Sequence, residues 1–122
     1  MARRRSGRRR ERLKAPSVDY ADAEGNVLTL RGSLTVATRA RYARTLAGHE
    51  GSAASTREDA WQRASELLFE HLAARWVIAG APIERERELL ARFRAASPSE
   101  RAWVRETLRA HCAEHFPDVE AP

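Results

Sequence analysis

The first fourteen residues constrain the fold of this 122-residue chain most strongly, because they cannot contribute to a core. They hold eight cations against the single acid Glu11, a charge of +7, whereas residues 15–122 sum to −2. A segment this charged buries too little apolar surface to offset the entropy lost on ordering. We therefore predict a disordered Arg-rich arm over residues 1–16, followed by one small domain.

The cations of the arm are the candidate binding residues. Arginine-rich segments neutralise phosphates and release counterions, which gives salt-dependent affinity without sequence preference. We expect the arm to contact an anionic partner, nucleic acid above all, through Arg3, Arg4, Arg5, Arg8, Arg9, Arg10, Arg12 and Lys14. The alternative is that the arm only helps to keep the chain in solution.

The first elements after the arm are predicted to be a β-hairpin and a short helix. Apolar residues alternate with polar ones on either side of the turn residues 22–26, at Val18, Tyr20, Leu28 and Leu30. Two strands alone are marginally stable, so this apolar face should pack on helices. From Thr35 to Gly48 the apolar residues recur at helical spacing, at Val36, Ala40, Ala43, Leu46 and Ala47.

A longer core helix is predicted after the small-residue linker 49–54. Ser55 and Glu58 have the spacing of a capping box. The helix should end at Gly80-Ala81-Pro82, where the glycine suits the C′ position and the proline begins the next element. Its apolar face comprises Trp61, Ala64, Leu68, Leu72 and Trp76.

Two more helices complete the predicted domain. The third carries Leu89, Leu90, Phe93 and Ala96 among alternating charges, and the fourth begins at the cap Ser97-Pro98-Ser99-Glu100 and closes at Phe116-Pro117. We predict a mainly α (α+β) domain over residues 17–117, with the hairpin packed on a bundle of about four helices and a tail at 118–122. All three tryptophans, Trp61, Trp76 and Trp103, are expected in the core.

The fourth helix contains the only arrangement that hints at metal chemistry. His111 and His115 flank Glu114 in the H-x-x-E-H spacing of inverted zinc proteases, but only seven residues remain to supply a third ligand. A structural metal held with Cys112 and Glu114 or His71 is a remote alternative. We expect histidines that pack and cap the helix end, a buried Cys112, no metal and no cofactor.

No set of nucleophile, base and orienting residue can be assembled from this sequence, so we predict that the protein is not an enzyme. One cysteine excludes an intrachain disulfide, and no apolar stretch is long enough to cross a bilayer. We therefore expect a cytoplasmic binding or assembly protein, with a possible protein partner for the helical domain. The oligomeric state stays open.

A second functional hypothesis comes from a resemblance. The pattern includes a helix that ends in a tryptophan, at Leu72-Ala73-Ala74-Arg75-Trp76, and a turn after it, at Gly80-Ala81-Pro82. Further helices follow this turn, and the segment before the helix is matched by Leu30-Arg31-Gly32-Ser33-Leu34-Thr35. In these features residues 61–116 resemble the small helical chaperones encoded in phage tail operons. The resemblance implies a non-catalytic assembly factor that holds apolar segments of a structural protein.

Overall fold

A computed structural model describes residues 15–48 and 57–122. The elements are β1 (Val18–Ala21), β2 (Val27–Leu30), α1 (Val36–Ala47), α2 (Arg57–Leu72), β3 (Ala73–Ile78), β4 (Ala81–Ile83), α3 (Glu86–Arg94) and α4 (Pro98–His115). This confirms the α+β class and the N-terminal hairpin. The predictions for the arm, for the linker 49–54 and for the Ser55 cap lie outside the described residues.

The four strands form one antiparallel sheet in the order β1-β2-β3-β4, with the α1–α2 pair inserted between β2 and β3. In the hairpin, Val18 is opposite Leu30 and Tyr20 is opposite Leu28. Leu28 and Leu30 are fully buried, so the apolar face predicted from the alternation is the face that meets the helices. Trp76 of β3 lies opposite Leu28 on the same face.

The predicted end of the core helix is wrong. Helix α2 ends at Leu72, and residues 73–78 form β3 instead of another one and a half turns of helix. The carbonyl of Leu72 accepts a hydrogen bond from the Arg31 amide at 2.7 Å, and the Arg31 guanidinium donates to the carbonyl of Ala73 at 2.9 Å. The end of β2 thus captures the carbonyls that would otherwise continue the helix.

Gly80 also has a different role from the one predicted. It belongs to the two-residue turn between β3 and β4, where Ala79 and Gly80 both have positive φ angles, 50° and 79°. Two consecutive positive φ angles are typical of a type I′ hairpin turn. Pro82 does not open a helix but lies in the edge strand β4, where the missing N–H costs no ladder hydrogen bond.

The core is closed by α3 and α4. Phe69 stacks on Phe93 with ring centroids 4.6 Å apart and meets Trp76 edge-on at 5.7 Å. The predicted cap of α4 is confirmed: the Ser97 side chain accepts from the Glu100 amide, and the Glu100 carboxylate accepts from the Ser97 amide. Both hydrogen bonds satisfy amides that the first turn of a helix leaves unpaired.

One of the three tryptophans is not a core residue. Trp76 is 2% exposed and Trp103 is partly buried, but Trp61 is 46% exposed near the start of α2. Val36 at the start of α1 is 83% exposed. The apolar stripe predicted to bury α1 is therefore largely open, and Tyr42 is the one buried residue of that helix.

Candidate functional site

His111 connects the terminal helix to the hairpin. Its ring is fully buried; Nε2 lies 2.7 Å from the carbonyl oxygen of Arg31, and Nδ1 lies 2.7 Å from the hydroxyl of Tyr20. A carbonyl only accepts, so Nε2 carries the proton and Nδ1 of the neutral ring accepts from Tyr20. Both nitrogens of His111 are therefore engaged within the fold.

The environment of His111 favours the neutral ring. Burial lowers the pKa of His111 and the neighbouring His115 lowers it further, against the opposing effects of the Arg31 carbonyl and Glu114. Burial likewise raises the pKa of the Cys112 thiol to about 11, so that it is protonated at neutral pH. The predicted burial of Cys112 is confirmed, and its thiol is not activated for nucleophilic attack.

The histidines of α4 do not form a recognisable metal centre. The rings of His111 and His115 have centroids 4.5 Å apart, and His115 lies in the last helical turn as predicted. Across residues 15–48 and 57–122, no three His, Cys, Asp or Glu side chains are grouped so as to hold a metal ion. This geometry gives the zinc hypothesis no support.

The arm joins the domain at a defined place. The Ala15 amide donates to the Ser33 hydroxyl at 3.1 Å, and the Ala15-Pro16 backbone lies directly on Gly32. A Cβ atom at Gly32 would come within 2.5 Å of the Pro16 carbonyl oxygen, so only glycine allows this approach. Ala15, the first described residue after the arm, is therefore held beside Ser33, which is two residues before Thr35, the N-cap of α1.

An open groove of about 1330 Å³ lies between α1, the start of α2 and the C-terminal residues. Its lining on α1 includes the exposed apolar stripe Val36, Ala40, Ala43 and Ala47, together with Arg39, Tyr42 and Leu46. The opposite wall includes Arg57, Ala60 and Trp61 of α2, Arg109 of α4 and the C-terminal residues 118–122. Those residues are tied to α1, because the Tyr42 hydroxyl donates to the Glu120 carbonyl and Arg39 pairs with Asp118 at 2.8 Å.

Helix α1 also carries a basic face that the sequence analysis missed. Arg41 and Arg44 are exposed. Among the described residues, no carboxylate forms an ion pair with either guanidinium. The overlooked pattern was a local one: between Glu24 and Glu50 the chain has four arginines and no acid. The nearly balanced charge of residues 15–122 hides this stretch, since the acids lie elsewhere.

No protein-family model, curated protein or solved structure matches this chain. Within the part of the chain that the structure describes, no helix is both long and apolar enough to cross a membrane.

Proposed function

We propose that this protein is a non-catalytic, cytoplasmic nucleic-acid-binding protein whose arm, residues 1–14, contacts the phosphate backbone. The observation that carries the proposal is the separation of charge, +7 in the arm and −2 in the rest of the chain. An isolated cluster of arginines attracts a polyanion without help from the folded body. The attachment at Gly32 and Ser33 supports it, because the arm starts from a fixed point on the surface.

The chemistry of the described side chains agrees with a binding role. The one buried histidine uses both nitrogens to hold β1 and the end of β2 against α4, and the cysteine is protonated. Neither group is available as a general base or a nucleophile. We therefore assign the function to surface charge.

Salt dependence of binding tests the proposal. A fluorescent duplex of about 20 base pairs is titrated with the full chain between about 50 and 300 mM salt, and the logarithm of the association constant is plotted against that of the salt concentration. If all eight arm cations contact phosphates, they contribute about −7 to the slope. Replacing these eight cations by glutamine in the full chain should remove that contribution.

A scrambled arm with unchanged composition is the matched control. It should bind as the natural arm does, because backbone contacts depend on charge and not on residue order. Failure of the natural chain to bind the duplex at the lowest salt would refute the proposal. So would an arm-neutral variant that keeps the full slope.

The groove favours a second candidate function, in which the protein holds an apolar segment of another protein. Trp61 and the exposed stripe of α1 are apolar surface without a partner among the described residues. Such patches often mark protein interaction sites. The helix-end likeness that suggested an assembly chaperone is weakened, however, because Leu72–Trp76 is a helix-to-strand junction and not the end of a helix.

Suppression of peptide aggregation tests this second candidate. Ala43→Arg places a long cation on the groove stripe and should abolish the protein's ability to keep an apolar amphipathic peptide in solution. Ala113→Arg on the exposed side of α4 is the control and should leave that ability intact. Equal behaviour of the two variants, or no suppression by the natural protein, would rule the candidate out.

A further inference from the structure

We infer that α1 is a second nucleic-acid contact, in which Arg41 and Arg44 bind backbone phosphates beside the arm. The inference rests on the proposed function and extends it from residues 1–14 to the folded domain. It differs from the sequence-based expectation, which assigned all phosphate contacts to the arm.

The charge of α1 is the first observation. Its twelve residues include Arg39, Arg41 and Arg44 and no acid, whereas each of the other three described helices contains several acids. Arg39 is occupied in the structure, because it pairs with Asp118 and its guanidinium lies 5.3 Å from the centre of the Phe116 ring. Arg41 and Arg44 are exposed and have no such partners among the described residues.

The orientation of α1 is the second observation. At 100° per residue, Arg44 lies about 160° around the helix from the buried Tyr42, and Arg41 lies about 100° from it. Ala43 lies about 100° from Tyr42 in the opposite sense. The helix thus has a core side, a groove side and a basic side. Arg41 points away from the groove, whereas Arg44 borders it, about 40° from Ala40 of the stripe.

The attachment of the arm is the third observation. Ser33, which holds the start of the domain, is three residues before the first residue of α1. Fourteen residues span at most about 50 Å when extended, and α1 is about 18 Å long. The arm is therefore long enough to follow the same stretch of duplex that the basic side of α1 contacts, and the two share one ligand at a high effective concentration.

Two matched double variants of the full chain test the inference in the duplex titration. Arg41→Gln with Arg44→Gln removes the α1 contacts and should reduce the magnitude of the salt slope by about 2 units, the value for two phosphates. Arg63→Gln with Arg87→Gln removes the same charge from exposed positions on α2 and α3 and should leave the slope within experimental error. Circular dichroism of both variants checks that they fold.

The outcomes separate the two proposals. If the natural chain does not bind the duplex, the proposed function itself is wrong. If it binds and the α1 pair changes the slope no more than the Arg63/Arg87 pair does, α1 is not a specific second contact and the inference is overturned. A slope change confined to the α1 pair, and still measurable when the arm cations are replaced by glutamine, establishes the second contact.

Discussion

Acidification from about pH 7.5 to 5.5 should destabilise the fold through His111, whose unfolded-state pKa is about 6.5. Burial lowers the pKa of His111 in the folded protein, so the unfolded chain binds a proton more readily than the folded one. The stability contributed by the neutral ring is therefore complete above about pH 6.5 and is lost as the pH falls towards the folded-state pKa. Each unit by which the pKa of His111 is lowered in the folded protein corresponds to about 1.4 kcal/mol of the free energy of unfolding at neutral pH.

Two measurements check this prediction. Urea unfolding followed by tryptophan fluorescence should give a free energy that declines from about pH 6.5 to 5.5, before the carboxylates titrate. An NMR titration of the histidine ring protons should place the pKa of His111 below about 6.5. His111→Phe leaves the Tyr20 hydroxyl and the Arg31 carbonyl without this partner, and should cost about 1–3 kcal/mol at neutral pH.

The variant also isolates the cause of the pH dependence. In His111→Phe the decline of stability between about pH 6.5 and 5.5 should disappear, because the responsible proton site is gone. An NMR pKa of His111 at or above about 6.5 would refute the reasoning even if the variant fails to fold. A pH dependence unchanged in a folded variant would refute it as well.

Three further predictions concern local structure. Ser97→Ala removes the cap of α4 and should lower the free energy of unfolding by about 1 kcal/mol in urea titrations; no loss would contradict the capping geometry. Ala79→Asn creates the Asn-Gly pair preferred in type I′ turns and should raise that free energy by up to about 1 kcal/mol, whereas a decrease would contradict the turn assignment. The buried, protonated Cys112 should react with a thiol reagent only after unfolding, and rapid labelling of the native protein would show that its burial is wrong.

The elements that could be predicted from sequence are those with local causes. The hairpin follows from alternation around residues 22–26, and α4 follows from the Ser97-Pro98-Ser99-Glu100 cap. In each case the residues that determine the structure are adjacent in the chain. Local hydrogen bonds and turn geometry then favour one conformation independently of distant contacts.

The wrong prediction that the core helix continues through residues 73–78 has a non-local cause. The largely apolar segment from Leu67 to Ile78 fits one long helix as readily as a helix followed by a buried strand. Gly80 likewise suits either a helix end or a hairpin turn. The choice is made by β2, which pairs with β3 and is more than forty residues earlier in the chain. Pattern reasoning along one segment cannot weigh that pairing.

The candidate binding surfaces also include one part that the sequence could predict and other parts that it could not. Composition alone reveals the arm. The basic side of α1 is recognised only from the structure, in which Asp118 pairs with Arg39 while no carboxylate of residues 15–48 or 57–122 pairs with Arg41 or Arg44. The exposure of Trp61 could not be predicted from the sequence either. Helical spacing shows which residues share a face of the helix, but it does not show whether another part of the chain covers that face.

The most direct test of the account is a map of the surface that contacts nucleic acid. Backbone amide signals of the full chain are recorded by NMR before and after addition of a short duplex at low salt. We expect changes in the signals of residues 1–14 and of the basic side of α1, and both sets of changes should fade together as salt is added. Changes confined to the groove around Trp61, or to α4, would contradict it.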